Sequence, residues 1–454
     1  MIGAVALVAA VLALGTRLAR RVLRPDAPRL LVGGMGAVLG AATAGIAAVL
    51  VALAGVPVAR PLAWALALAA GAGAWALGPT ARPTTAWGRP RPRSPADGWA
   101  LGVLALFGLL LVTTVITTPL VSVDARTLWV PHARLIADTG RYPAPELRDP
   151  AFVIAHASYP PLLPIMEALV GVAAGSVDER VLRAVPTAFY FAVGALLLVE
   201  LPRREPRWGV LLAAAWGLLP ALVVFEEGGA DAGLADVALS ALVLASALLF
   251  ERAEAGQAPF GAAVLAGVLA AAAALTKNEG LVLGGLLCLS AAVGDRAGRI
   301  GRLRRAGLAT LAFVLLIGPW LAVRSSLRPI LDEGYFGHLR WDRLLAAAPR
   351  AGNVAAEMLA QIFVLPHRSG LFWWLVVGWF LASPRKADAL RAGRLAVVPV
   401  YVLVVYVLYV VTPWEGVIQV QLSFSRVLLQ VAPLALWAVA RDAAAPSGPE
   451  TARG

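Results

Sequence analysis

Charge is scarce in this chain. Of 454 residues, 15% are Asp, Glu, Lys or Arg, against 60% in the apolar set, and mean hydropathy is +0.78. Average soluble domains carry about 25% charge. A water-soluble enzyme of this length would expose more apolar surface than it could hide, so that class is excluded. One cysteine, Cys288, rules out an intrachain disulfide and leaves a cysteine-based metal site unsupported. Four histidines (His132, His156, His338 and His367) show no metal-ligand spacing. Only two of the 39 basic residues are lysines, Lys277 and Lys386. The net charge of +12 is thus almost wholly arginine, and it reads as the basic excess of cytoplasmic loops, not as a nucleic-acid surface. No basic residues precede the first apolar run, Ile2–Leu14; Arg17, Arg20, Arg21 and Arg24 follow it. A cleavable signal has the reverse polarity, so this segment reads as an anchor with its N-terminus outside.

Long apolar runs are abundant. Leu30–Ala54, Trp99–Pro119 and Leu395–Thr412 each approach the roughly 20 residues that cross a bilayer. Backbone groups in lipid must be paired within the segment or within a closed barrel, and these runs are too long and continuous for barrel strands. The expected fold is therefore all-α and polytopic, with about thirteen transmembrane helices. They fall near 2–16, 30–54, 61–78, 98–119, 184–200, 209–225, 232–250, 260–276, 279–294, 306–324, 371–383, 395–412 and 424–440.

Basic clusters at Arg17–Arg29, Arg82–Arg93, Arg203–Arg207, Arg296–Arg305 and Arg385–Arg394 set these loops inside. Parity then requires that one of the apolar stretches 161–175 and 184–200 does not span. The first follows Pro160-Pro161 and contains Pro164 and Glu167, so it reads as a helix lying at or dipping into the outer interface. Residues 120–183 and 325–370 become large outer loops. The loops placed outside hold a slight excess of acids, which played no part in placing them.

Polar residues at one side's helix mouths mark a functional surface, and here they gather outside at four places. Asp124, Arg126, Trp129, His132 and Arg134 open the first outer loop, on what reads as an amphipathic juxtamembrane helix over 126–138. Asp124 suits a general base for a hydroxyl, or equally an N-cap for that helix. His156 and Tyr159 precede the rigid Pro160-Pro161 pair and either line a pocket or pack. Glu226, Glu227 and Asp231 lie in an acidic, glycine-rich outer turn that could bind a cation or a sugar; Glu226 and Glu227 read as its solvated part, whereas Asp236 leads directly into an apolar run. In Leu275–Gly280, Lys277 suits a phosphate as a point charge, or a snorkelling anchor, with Glu279 available as its partner.

Taken together, these segments resemble the GT-C superfamily of polytopic glycosyltransferases, notably the polyprenyl-phosphate-sugar-dependent protein O-mannosyltransferases and aminoarabinose transferases. The resemblance runs over 98–440. Asp124 to Arg134 is similar to the family's first outer loop, His156–Pro164 to its proline-rich juxtamembrane motif, and Ala235–Leu239 to its A-D-x-x-L span start. Leu275–Gly280 is similar to an L-T-K-x-E-G form, and Arg426 with Pro433 to a late Arg-then-Pro span start. The chain departs from the pattern at His132, where relatives carry lysine, and at Tyr159, where aminoarabinose transferases can carry a basic residue. The resemblance implies a GT-C-like core over 98–440, preceded by an extension of about three spans over 1–97 and followed by a disordered cytoplasmic tail over 441–454.

It further implies an inner-membrane, multi-pass transferase with its active site extracytoplasmic. The enzyme would move a sugar from a polyprenyl-phosphate donor to an acceptor hydroxyl on a glycan, lipid or protein, with inversion. Asp124 would be the base, and Arg126, Lys277, Arg134 and Arg426 would hold the donor phosphate. His132, Trp129, His156, Tyr159, Asp236 and Glu279 would line the substrate pocket, and His338, Trp341 and His367 would cover the acceptor. No cofactor, metal or nucleic-acid partner is expected. A transporter or flippase of a lipid-linked or anionic substrate is the competing expectation, and a non-catalytic membrane scaffold a third. The sequence shows no convincing internal repeat, few charges fall mid-span and the acids sit at outer helix mouths, all of which favours an enzyme over a transporter.

Overall fold

A computed structural model describes residues 2–78, 94–149, 156–223, 229–293, 298–327, 340–382 and 394–443. The basic runs 82–93 and 385–393, Arg296, the pair Glu226 and Glu227, His338 and the tail from 444 onward lie outside the described residues. Among the described residues all regular structure is helical and none is strand.

The chain opens with α1 (Ile2–Val22), α2 (Arg29–Leu53), α3 (Arg60–Ala76) and α4 (Pro95–Thr117). A five-residue π turn, Ala125–Trp129, runs into α5 (Val130–Thr139), which ends at Gly140 with a left-handed φ of 68°. Then come α6 (Leu162–Ala174), α7 (Glu179–Arg204), α8 (Gly209–Gly217), α9 (Pro220–Val223), α10 (Ala235–Glu254), α11 (Pro259–Thr276), α12 (Asn278–Ser290) and α13 (Arg299–Ser326). The last elements are α14 (Trp341–Ala347), α15 (Ala351–Phe363), α16 (Pro366–Ser369), α17 (Phe372–Ala382), α18 (Arg394–Val411) and α19 (Gly416–Ala443).

Seven of these helices (α1, α2, α4, α7, α11, α13 and α19) are long and apolar enough to cross a membrane, and α6, α12, α17 and α18 are shorter apolar helices. The protein is an all-α polytopic membrane protein. The expected span 209–225 is not one helix: α8 stops at Gly217 and a single turn resumes at Pro220, whose missing N–H breaks the ladder. The stretch 161–175 forms α6, about 20 Å long and too short to span. Its first turn, at Leu162 and Met166, lies against Gly45, eight residues below the end of α2, while Ala173 lies beside Gly3 at the start of α1. The chain therefore descends before α6 and climbs back along it.

The centre of the bundle is α10, whose residues from Ala235 to Phe250 are all buried between α7, α11 and α19. At the periphery, α4 exposes Leu106, Leu109, Leu110 and Ile116, and α13 exposes Leu311, Val314 and Leu315. Large apolar side chains on such faces are stable only against hydrocarbon.

The two ends of α10 are chemically different, some 22 Å apart between Asp236 and Glu251. The far end is basic. There Arg204 pairs with Glu200 (3.1 Å) and Glu251 (2.5 Å), and Arg252 pairs with Glu200 (2.6 Å). Arg304 stacks on Phe260 at 4.3 Å, and Arg21 donates to the carbonyl of Leu77, just past the end of α3. The near end holds the site described next.

Candidate functional site

At the Asp236 end of α10 lies a cavity of about 430 Å³. It is walled by the connection after α4, the start of α10, the α11–α12 junction, α18 and α19. Its floor is a buried polar chain. Asp236, 2% exposed, accepts at Oδ1 from Lys277 Nζ (2.8 Å) and Gln430 Nε2 (2.5 Å). Gln430 Oε1 in turn accepts from the Tyr401 hydroxyl at 2.6 Å. Lys277 also meets Glu279 Oε1 at 3.1 Å. A buried ammonium is tolerable only when paired in this way.

The local sequence explains how Lys277 reaches inward. Its backbone is extended (φ −154°, ψ 153°), so α11 stops and α12 starts at this one residue. Thr276 closes the last turn of α11 by donating to the carbonyl of Ala272 at 2.7 Å. Two residues past Asn278, a Cβ on Gly280 would stand 1.9 Å from the carbonyl oxygen of Ala273. Only glycine lets α12 fold back this tightly.

The second charged pair joins the most distant parts of the chain. Arg426 Nη1 donates to Asp124 Oδ2 at 2.5 Å. Asp124 precedes the π turn without making a side-chain cap bond, so its carboxylate faces Arg426 and not the helix end. Aromatic rings line one wall: Trp129 meets Tyr159 edge-to-face at 5.7 Å, and His156 lies 5.3 Å from Tyr159. His156 is held at φ 48°, a strained conformation for a non-glycine residue. On α18 and α19, Ser423 donates to the carbonyl of Gln419 (2.8 Å), so the Tyr409 hydroxyl must donate to Ser423 (2.7 Å).

Of the residues singled out in the sequence, Asp124, Trp129, His156, Tyr159, Asp236, Lys277, Glu279 and Arg426 line this one cavity. Arg126, His132 and Arg134 do not. Arg126 and Arg134 are exposed, with Arg134 Nε donating to the carbonyl of Val177 (3.4 Å), and His132 is buried within α5. Trp341 is exposed on α14, and His367 on α16 is likewise no part of the lining. Among the described residues no group of three His, Cys, Asp or Glu side chains could hold a metal ion.

Sequence reasoning missed Gln430, Tyr401, Tyr409 and Ser423, because an uncharged polar residue inside an apolar run gives no signal of which way it faces. It also missed two arginines that fix the cavity's walls. Arg183, 1% exposed on α7, donates to the carbonyls of Thr114, Val115, Thr118 and Pro119 and so closes the end of α4. Beside it, Glu179 accepts from the Leu120 N–H at 3.0 Å. Arg350 does the same for α18, donating to the carbonyls of Val410 (2.5 Å), Thr412 (2.5 Å) and Trp414 (3.2 Å). A helix C-terminus buried away from water needs such donors.

No family model matches the chain, and no curated protein or solved structure is significantly similar to it.

Proposed function

We propose that the protein is a membrane glycosyltransferase that moves a sugar from a polyprenyl-phosphate donor to an acceptor hydroxyl at the extracytoplasmic face. One observation carries this reading. Asp124, Asp236, Lys277 and Arg426, from four separate regions of the sequence, meet in a single cavity at the end of the bundle opposite the basic clusters around Arg21, Arg203–Arg207 and Arg299–Arg305. The positive-inside rule then puts the cavity outside.

In this reading Asp124 accepts the proton of the acceptor hydroxyl as its oxygen bonds to the anomeric carbon. The bond from that carbon to the phosphate oxygen breaks, its electron pair leaves with the polyprenyl phosphate, and the configuration inverts. Lys277 and Arg426 stabilise the charge that develops on the phosphate. Because Arg126 and Arg134 stand outside the lining, the phosphate contacts narrow to these two cations. Tyr159, partly exposed on the cavity wall, offers its ring to a sugar, with the buried Trp129 packed edge-to-face against it. A second groove of about 360 Å³, lined wholly by apolar residues of α1, α2, α3, α6 and α7, suits an isoprenoid chain.

The transporter reading has one observation in its favour. Glu167 on α6 is fully buried, and neither carboxyl oxygen has a hydrogen-bond partner among the described residues. Buried intramembrane carboxyls of this kind mark proton relays.

The test is Asp124→Asn in membranes supplied with a labelled lipid-linked sugar. Loss of general-base assistance lowers transfer by about 10²–10⁴-fold. Undiminished transfer at normal protein level removes Asp124 as the base.

A further inference from the structure

Two cations and three carboxylates face the cavity, and each cation already has a carboxylate of its own. The two pairs are built differently. Asp236 is buried and held from both sides, by Lys277 and by Gln430, with Tyr401 fixing Gln430 in turn. The Asp124 side chain is 41% exposed, sits on a connection between helices, and accepts a charge-assisted bond from Arg426. The pinned pair is structural in character. The open pair contains the group best placed to act as a base.

We propose that the Asp124–Arg426 pair is an anion-operated latch. In the empty cavity Arg426 occupies the Asp124 carboxylate. The donor's phosphodiester entering the cavity takes the guanidinium over, and Asp124 is released to accept a proton. The inference rests on the lipid-phosphate reading above.

The chemistry supports the exchange. A guanidinium offers a planar fork that a phosphate matches with two parallel bonds, and charge-assisted bonds of this type are about twice as strong as neutral ones. A carboxylate in an ion pair is a poorer proton acceptor, because the neighbouring cation favours its charged form. The latch therefore imposes an order. Phosphate binds first, and only then is a carboxylate available to the hydroxyl. It assigns Arg426 a positioning role beyond charge stabilisation: it reports occupancy of the phosphate site to the base. Arg426 also stands within electrostatic reach of Asp236 and Lys277, so its departure from Asp124 toward a phosphate keeps it inside the same charged cluster.

The experiment measures binding of farnesyl monophosphate, a short prenyl phosphate, to the full-length protein in lipid nanodiscs. Asp124→Asn removes the competitor for Arg426 and tightens binding on the order of tenfold, the weight of one charge-assisted bond. Arg426→Gln weakens it. In the Arg426→Gln background, Asp124→Asn changes nothing. That last arm separates a latch from a general field effect, since removing a negative charge from the cavity would strengthen anion binding in either background. Asp124→Ser serves the same purpose if the Asn variant does not fold. If Asp124→Asn leaves binding unchanged or weaker while Arg426→Gln weakens it, the latch is overturned and the phosphate site stands. Equal tightening by Asp124→Asn in both backgrounds also overturns the latch. If no variant, wild type included, binds farnesyl phosphate, the lipid-phosphate reading fails and the latch with it.

Discussion

Replacing Arg183 tests whether the wall that carries Asp124 is held by one buried side chain. The Arg183→Leu variant removes the donors for four carbonyls at the end of α4. Thr114 keeps partners, because its carbonyl also accepts from the Thr118 N–H (3.0 Å) and hydroxyl (2.7 Å). The carbonyls of Val115, Thr118 and Pro119 lose theirs. A buried acceptor left unsatisfied costs about 1–3 kcal/mol. Val115 is buried, whereas Thr118 and Pro119 are exposed and their carbonyls can be re-paired, so a net loss of about 2 kcal/mol is expected. Arg183→Lys should restore less than half, since one ammonium cannot reproduce a fork that reaches several carbonyls. The neighbouring Arg180, 58% exposed, is the control, and Arg180→Leu should stay within about 0.5 kcal/mol. The assay is reversible unfolding in mixed micelles. If Arg183→Leu lowers stability by less than about 1 kcal/mol, the guanidinium does not hold the end of α4 and the argument fails.

Asp236→Ala leaves Lys277 with only Glu279, which is 26% exposed, so a loss of about 2–4 kcal/mol is expected. Adding Lys277→Met should recover part of it, and strictly additive losses would show that the pair is not coupled. Gly267→Ala puts a Cβ 2.3 Å from the carbonyl oxygen of Ala309, which is backbone and cannot swing aside. The separation of α11 from α13 should cost about 1–3 kcal/mol in the same unfolding assay, and a stabilised variant would refute the close packing. The only native cysteine, Cys288, is buried, so cysteine labelling has a quiet background. Arg126→Cys should react with an impermeant reagent from outside intact cells and Ala255→Cys only after permeabilisation; labelling from the same side contradicts the orientation.

Much of the bundle was legible before any coordinates. Apolar runs that must pair their own backbone groups become helices, so the expected spans 30–54 and 260–276 agree with α2 and α11 within a few residues, and 61–78 is helical as α3. The misplaced boundaries have local causes. The expected span 424–440 begins eight residues late, because Gln419, Gln421 and Ser423 read as loop although they face the cavity or solvent along the first turns of α19. The expected span 209–225 missed the break before Pro220.

Sequence alone determined that this chain lives in a bilayer, since 60% apolar content in long runs has no stable alternative in water. It also put its charge at helix mouths and singled out Asp124, Asp236, Lys277 and Arg426 one by one. What it could not determine was their pairing. Lys277 read as a point charge beside Glu279, and Asp236, 41 positions away, turns out to be its buried partner. Arg426 and Asp124 are separated by 302 positions. Pairing across such distances depends on how α10, α11, α18 and α19 pack and rotate against one another. That is settled by side-chain volumes and close backbone approaches, such as the one at Gly280, which no local pattern records.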